Sequence, residues 1–276
     1  MKKKFLAFVF AWFALAVYAN PTDSTFVING SRGNLAVHLQ LPNINSGDKI
    51  PIVILSHGLG GKMDNKWFDM ITASVMKEGF GVIRFDFNGH GKSEGRFQDM
   101  TISNCVGDLK KVIDWTSKQK YTENVSLVGH SLGGLVNAIA AGQLGKDKVY
   151  SSILLAPGGV ARDLMLMGNF FGIKFDPWNV PEYIELPNGN RLGRAYIEGA
   201  RDMAIYEISR QYSGPTLVVN GTHDTIVPIS YSERFAYELP NAELRRLEGD
   251  DHGLTKTPEA TANMIAKWLR SHNIIP

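Results

Sequence analysis

Cysteine is almost missing from this chain. Cys105 is the single one in 276 residues. No internal disulfide can form, and no Cys/His cluster with zinc-ligand spacing is present, so stability must come from an apolar core. Cys105 adjoins the helix-like run 106–115 and is expected to be a buried packing thiol. An excess of charge is missing too. Lys and Arg number 29 against 27 Asp and Glu, a formal net charge of +2. That leaves no broad basic face for nucleic acid and no strong field for polyanions. Internal repeats, low-complexity tracts and a domain-splitting linker are also lacking. The length suits one α/β domain with a sizeable core.

Long hydrophobic runs are scarce, and the longest, residues 5–17, is short for a membrane span. Lys2, Lys3 and Lys4 precede it, and Val17-Tyr18-Ala19 follows as a small-x-small cleavage site. Residues 1–19 are therefore expected to be a signal peptide, with Asn20 the mature start and an exported product, periplasmic or secreted. An uncleaved anchor is the competing reading. Loss of three lysines and no acid moves the formal charge from +2 to −1.

What is present is sharper. Gly129-His130-Ser131-Leu132-Gly133 fits G-x-S-x-G between a buried strand pattern at 123–128 and a helix pattern at 132–144. A serine on such a turn has its hydroxyl pushed above the sheet, and the next residue's N–H is left free for an oxyanion. The reading is a nucleophile at Ser131. A plain helix cap is the alternative.

The surrounding chain alternates strands and helices. Residues 25–28 and 35–41 read as an early antiparallel pair, half exposed, with a turn at Asn29-Gly30. Residues 51–56 and 80–85 read as doubly covered strands. Helices are expected at 66–78 and at 102–119, the second capped by Thr101. A strand at 150–156 precedes residues 157–205, which break the rhythm with aromatics among many glycines and prolines. A connection that long is usually a lid or binding loop. Strands at 215–220 and 242–247 and helices at 230–239 and 258–271 complete the pattern. The expected class is α/β, a mainly parallel, doubly covered sheet with a small lid inserted after the sixth strand.

A serine hydroxyl needs a base, and the base needs an orienting carboxylate. Asn220-Gly221-Thr222-His223-Asp224 leaves one later strand, and Gly249-Asp250-Asp251-His252-Gly253 leaves the last. The order Ser131, Asp224, His252 is nucleophile, acid, base. Asp224 could instead only stabilise its own turn. Asp250 and Asp251 are weaker acid candidates, since they would have to fold back on their neighbour. His57, His90, His130 and His223 also lie near predicted strand ends. Ser56-His57-Gly58-Leu59-Gly60-Gly61 resembles an H-G-x-G element, and the N–H groups of Leu59 and Leu132 are the candidate oxyanion donors. His57 and Gly58 are expected against substrate. A simple glycine turn is the alternative.

Together these residues resemble an α/β-hydrolase-fold serine esterase. A closer resemblance lies in Val82-Ile83-Arg84-Phe85-Asp86-Phe87-Asn88-Gly89-His90-Gly91-Lys92-Ser93-Glu94-Gly95, Phe97, Met100-Thr101, Leu155-Ala156-Pro157 and Gly221-Thr222-His223-Asp224. With the Ser131 turn, these are similar to bacterial cinnamoyl (feruloyl) esterases, from about residue 50 to the C-terminal helix. The resemblance implies the α/β-hydrolase fold over 20–276 and a lid over the acyl pocket at about 157–205. It also implies lid contacts to a phenolic ring from Asp163 and Tyr196, and neither a metal nor an organic cofactor. The expected reaction is hydrolysis of a carboxylic ester through an acyl-enzyme, on hydroxycinnamate esters of a small alcohol or an oligosaccharide. A lipase, peptidase or thioesterase could use the same machinery, and a non-catalytic binding protein could keep the scaffold. No nucleic-acid partner is expected, and no stable membrane span once the leader is removed.

Overall fold

The structure, a computed structural model, describes residues 22–273. The expected leader, 1–19, lies outside them. No helix of the described residues is long and apolar enough to cross a membrane.

The elements run β1 (Thr22–Asn29), β2 (Asn34–Leu41), β3 (Ile50–Ser56), α1 (Lys66–Lys77), β4 (Gly81–Phe85), α2 (Ile102–Ser117), β5 (Thr122–His130), α3 (Leu132–Leu144) and β6 (Ser151–Leu155). There follow α4 (Val160–Leu166), the short strands β7 (Asn169–Phe170), β8 (Ile173–Lys174), β9 (Tyr183–Glu185) and β10 (Arg191–Gly193), then α5 (Arg194–Arg201) and α6 (Ile205–Ser209). The chain closes with β11 (Thr216–Gly221), α7 (Ile229–Glu238), β12 (Ala242–Leu247) and α8 (Pro258–His272).

Eight strands form one sheet in the order β1-β2-β4-β3-β5-β6-β11-β12. β1 and β2 are antiparallel, β2 is antiparallel to β4, and all later pairings are parallel. The apolar runs explain the layering. Along β3, Ile52 and Ile54 face one core and Val53 and Leu55 the other, because successive side chains point to opposite faces. The first core is closed by α2, α3, α6 and α7, the second by α1 and α8. Thr101 caps α2 by accepting the Asn104 N–H at 3.0 Å, as its position suggests.

One expectation needs correcting. β2 is not half exposed. It lies between β1 and β4, with Val37 opposite Phe85, and five of its eight residues are buried. Of these two strands, only β1 lies at an edge of the sheet. The 157–205 segment folds as α4, two small hairpins and α5, with α6 starting at its far end. It lies above the C-terminal ends of the parallel strands, where ligands meet open α/β sheets.

Candidate active site

Ser131 sits between β5 and α3 with φ 56° and ψ −116°, a conformation that costs a non-glycine residue about 1–3 kcal/mol. The neighbours hold it there. Its N–H donates to the Leu155 carbonyl at 2.8 Å, and its own carbonyl accepts from Leu135 at 3.0 Å and Gly158 at 2.9 Å. Room for the turn comes from Gly133, where a β-carbon would overlap the Ser56 carbonyl. The G-x-S-x-G spacing is thus a packing requirement between β3 and the turn as well as a conformational one.

His252 follows β12 on a loop, and its ring faces both expected partners. Its Nδ1 lies 2.8 Å from Asp224 Oδ2, and its Nε2 lies 3.0 Å from Ser131 Oγ. In this tautomer Nδ1–H donates to the carboxylate and Nε2 accepts from the hydroxyl. The Asp224 side chain is fully buried. Its other oxygen accepts the N–H groups of Ile226 at 2.9 Å and Val227 at 2.8 Å, so both oxygens of this buried side chain have partners. The local Asx contact and the contact to His252 are therefore made by different oxygens of one group. Asp250 and Asp251 are used inside their own loop: Asp251 binds Thr255, and Asp250 accepts from Lys256 N–H.

The loop after β3 lies against the serine. A β-carbon on Gly58 would stand 3.2 Å from Ser131 Cβ. Neither the Leu59 nor the Leu132 N–H has a hydrogen-bond partner among the described residues. Both residues line the space beside Ser131. Unpartnered donors flanking a serine hydroxyl can receive negative charge that forms on a bound carbonyl oxygen.

His57 is placed differently from the expectation. It does not present its ring to a ligand. It is 2% exposed, its Nε2 accepts the Phe87 N–H at 3.1 Å, and its Nδ1 donates to the Gly58 carbonyl at 2.8 Å. Burial, followed by the neighbouring His90, pushes its pKa down to about 3, so the ring is a neutral bracket. His90 completes that bracket by accepting the Gly60 N–H at 3.2 Å. The two rings fix Leu59 from either side. Asp86 beneath them accepts from Met63 at 2.6 Å and Lys92 at 2.8 Å, and burial raises its pKa.

Ser131 and His252 open onto a cavity of about 260 Å³. Its walls include Leu135, Val160, Leu164, Phe170 and Phe171. Tyr196, expected near a ligand, is on this wall and 2% exposed, and burial raises its phenol pKa. Asp163, paired with Tyr196 in the expectation, is not on it. Its Oδ2 accepts from the Tyr231 hydroxyl at 2.7 Å, while its helix neighbours Val160, Ala161 and Leu164 face the cavity. Sequence reasoning missed the wall contributed by Ile226 and Val227. It named His130 only as one of several histidines near strand ends and missed that its Nε2 donates to the His252 carbonyl at 2.8 Å. The signal for the first pair was available: the residues just after a strand-end acid are the ones whose N–H groups can reach it.

Two family models match the chain, one described as serine aminopeptidase, S33, over residues 47–179 and one as TAP-like protein over residues 197–274. The chain is 26% identical to the non-heme chloroperoxidase CPO-A1 of Kitasatospora aureofaciens, covering 77% of this chain and 88% of that protein. It is 23% identical to the bifunctional esterase/perhydrolase DCH of Acinetobacter calcoaceticus, with 80% and 92% covered. Among solved structures, that of Est1E from Butyrivibrio proteoclasticus with ferulic acid bound superposes with a TM-score of 0.85. Identity is 27%, over 90% of this chain and 98% of that one.

Proposed function

We propose that the chain is a hydrolase of the α/β-hydrolase family, and within it a serine carboxylic-ester hydrolase working through an acyl-enzyme on hydroxycinnamate esters. The observation that carries the proposal is the continuous path of 2.8 and 3.0 Å from Asp224 through His252 to Ser131. In this reading His252 Nε2 takes the hydroxyl proton as Ser131 Oγ attacks the ester carbonyl. The Leu59 and Leu132 N–H groups receive the oxyanion. The tetrahedral intermediate collapses, the acyl–oxygen bond breaks, and His252 returns the proton to the departing alcohol. Water then enters by the same route, and the acid leaves. Asp224 keeps the imidazole in the tautomer this requires and stabilises its protonated form.

The acyl group is inferred from the cavity. An apolar-walled space of about 260 Å³ lined by Phe170, Phe171, Tyr196 and aliphatic side chains fits a flat aromatic acid better than a long alkyl chain, which needs a longer groove. Similarity to a protein crystallised with ferulic acid supports the same choice. The N-terminal reading adds that the enzyme acts outside the cytoplasm, and sequencing of the exported protein should start at Asn20.

The test is hydrolysis of methyl ferulate beside short- and long-chain acyl esters. Ser131→Ala should abolish turnover and fluorophosphonate labelling without changing the circular dichroism spectrum. Retained turnover in that variant would remove Ser131 from the mechanism, and a preference for long-chain esters would overturn the acyl assignment.

A further inference from the structure

Ser131 and His252 line a second concavity, on the side away from the apolar cavity. It measures about 630 Å³ against about 260 Å³. Its walls include the 57–61 loop, Lys62, Asn65, Trp67 and His130. If the acyl group fills the apolar side, the alcohol must leave across His252 into this larger space. The inference therefore rests on the esterase reading above.

The chemistry of the walls is lopsided. No acidic residue lines them. Lys62 is exposed and has no ion-pair partner among the described residues, because the carboxylates nearest in sequence are engaged elsewhere: Asp64 with Lys92 and Asp69 with Arg84, at 2.7 and 2.6 Å. The indole N–H of Trp67 has no partner among the described residues but is itself buried away from the groove's solvent. Asn65 already uses its oxygen on the Phe68 N–H and its amide on the Lys62 carbonyl. The 157–205 segment approaches the same loop without lining the groove. Asn188, at the tip of the β9–β10 hairpin, accepts the Asn190 N–H with its oxygen. Its amide nitrogen stands over Gly60, 3.9 Å from where a β-carbon would be. His57 and His130 are neutral rings, with burial the main cause, at about 3 and about 4.

A space with one unpaired cation and no carboxylate on its walls complements an anion. During turnover His252 becomes cationic at its edge. We propose that this groove receives the leaving alcohol and selects alcohols that carry a carboxylate, with Lys62 as the specificity-determining residue. The preferred substrates are then esters of hydroxy acids.

The experiment uses two esters with the same hydroxycinnamoyl group. One has 3-hydroxypropanoate as its alcohol and the other the neutral 3-hydroxypropanamide. The ratio of kcat/KM, anionic over neutral, is measured for the full enzyme, for Lys62→Gln and for Lys62→Glu. The ratio in the variants, divided by that of the parent, cancels the intrinsic reactivity of each ester. For a solvent-exposed charge the ratio should fall about two- to fivefold in Lys62→Gln and further in Lys62→Glu. In the parent it should shrink as salt rises. A ratio that neither variant lowers overturns the proposal while leaving the esterase reading intact. Failure of both esters, with methyl ferulate also untouched, strikes the esterase reading instead.

Discussion

His130 and His252 are joined twice. The Nε2–H of His130 donates to the backbone carbonyl of His252 at 2.8 Å, and the two rings lie 4.9 Å apart at 45°. His252 stands on a loop after β12, and this hydrogen bond fixes that loop to the residue immediately before Ser131. Losing it leaves a carbonyl unpaired, at a cost of about 1–3 kcal/mol. His130→Leu should therefore lower kcat by about tenfold or more with a smaller change in KM, and His130→Gln, which restores a donor, should recover part of it. Steady-state kinetics on methyl ferulate check this. An unchanged kcat in the leucine variant would show that the loop holds His252 unaided.

Asp224 uses one carboxylate oxygen on His252 and the other on the N–H groups of Ile226 and Val227. Asp224→Asn keeps the size but offers the imidazole an amide. The ring can then settle with its proton on Nε2, which blocks acceptance from Ser131. The expected loss in kcat is about 10⁴-fold, with little effect on folding. Thermal unfolding and pre-steady-state acylation measured together distinguish this from collapse of the loop.

Stability should fall with acid before the carboxylates titrate. His57 and His130 are buried and neutral, mainly because burial disfavours their charged forms, with pKa values near 3 and 4 against 6.5 for a free imidazole. Below pH 6.5 the unfolded chain takes up protons that the folded chain refuses, so the folded state loses ground as pH drops. Each ring contributes up to about 1.4 kcal/mol per pH unit. Asp86 and Asp108, raised by burial, act in the opposite direction at lower pH, where the folded form gains protons first. Denaturant melts between pH 6.5 and 5 should show the decline, and His130→Gln should flatten it. A flat profile in the parent protein would mean that these rings are charged in the fold.

Much of this molecule was legible because its signals are local. Continuous apolar runs announced β3 and β4, and helix α3 was bounded by a serine turn and by the Leu144-Gly145 end. The parallel order placed Ser131, Asp224 and His252 at strand ends on the same edge of the sheet. What escaped depends on long-range packing. The pairing of β2 with β4 joins residues forty-odd positions apart, and no alternation along β2 reveals that partner. His57 looks like a ligand-facing residue in its motif. Only the approach of Phe87 and His90 turns it into a bracket for the Leu59 loop. Asp163 was placed by analogy, and Tyr231, on α7, decides where its carboxylate goes.

Tyr196 gives the most direct measure of the acyl assignment. Its ring is on the cavity wall, and its hydroxyl has no hydrogen-bond partner among the described residues. Burial keeps the phenol protonated, so it can donate to an oxygen on a bound ring. Removing that oxygen alone, in Tyr196→Phe, should act on substrates by their own hydroxylation. With methyl p-coumarate and methyl cinnamate as a matched pair, the ratio of kcat/KM values should fall about five- to tenfold, the worth of one neutral hydrogen bond. The effect should lie in KM, because the phenolic end is remote from the carbonyl. A ratio unmoved by the substitution would mean that the phenolic hydroxyl points elsewhere. The wall near Phe171 and Ile226, both partly open to solvent, would then be the place to look for its partner.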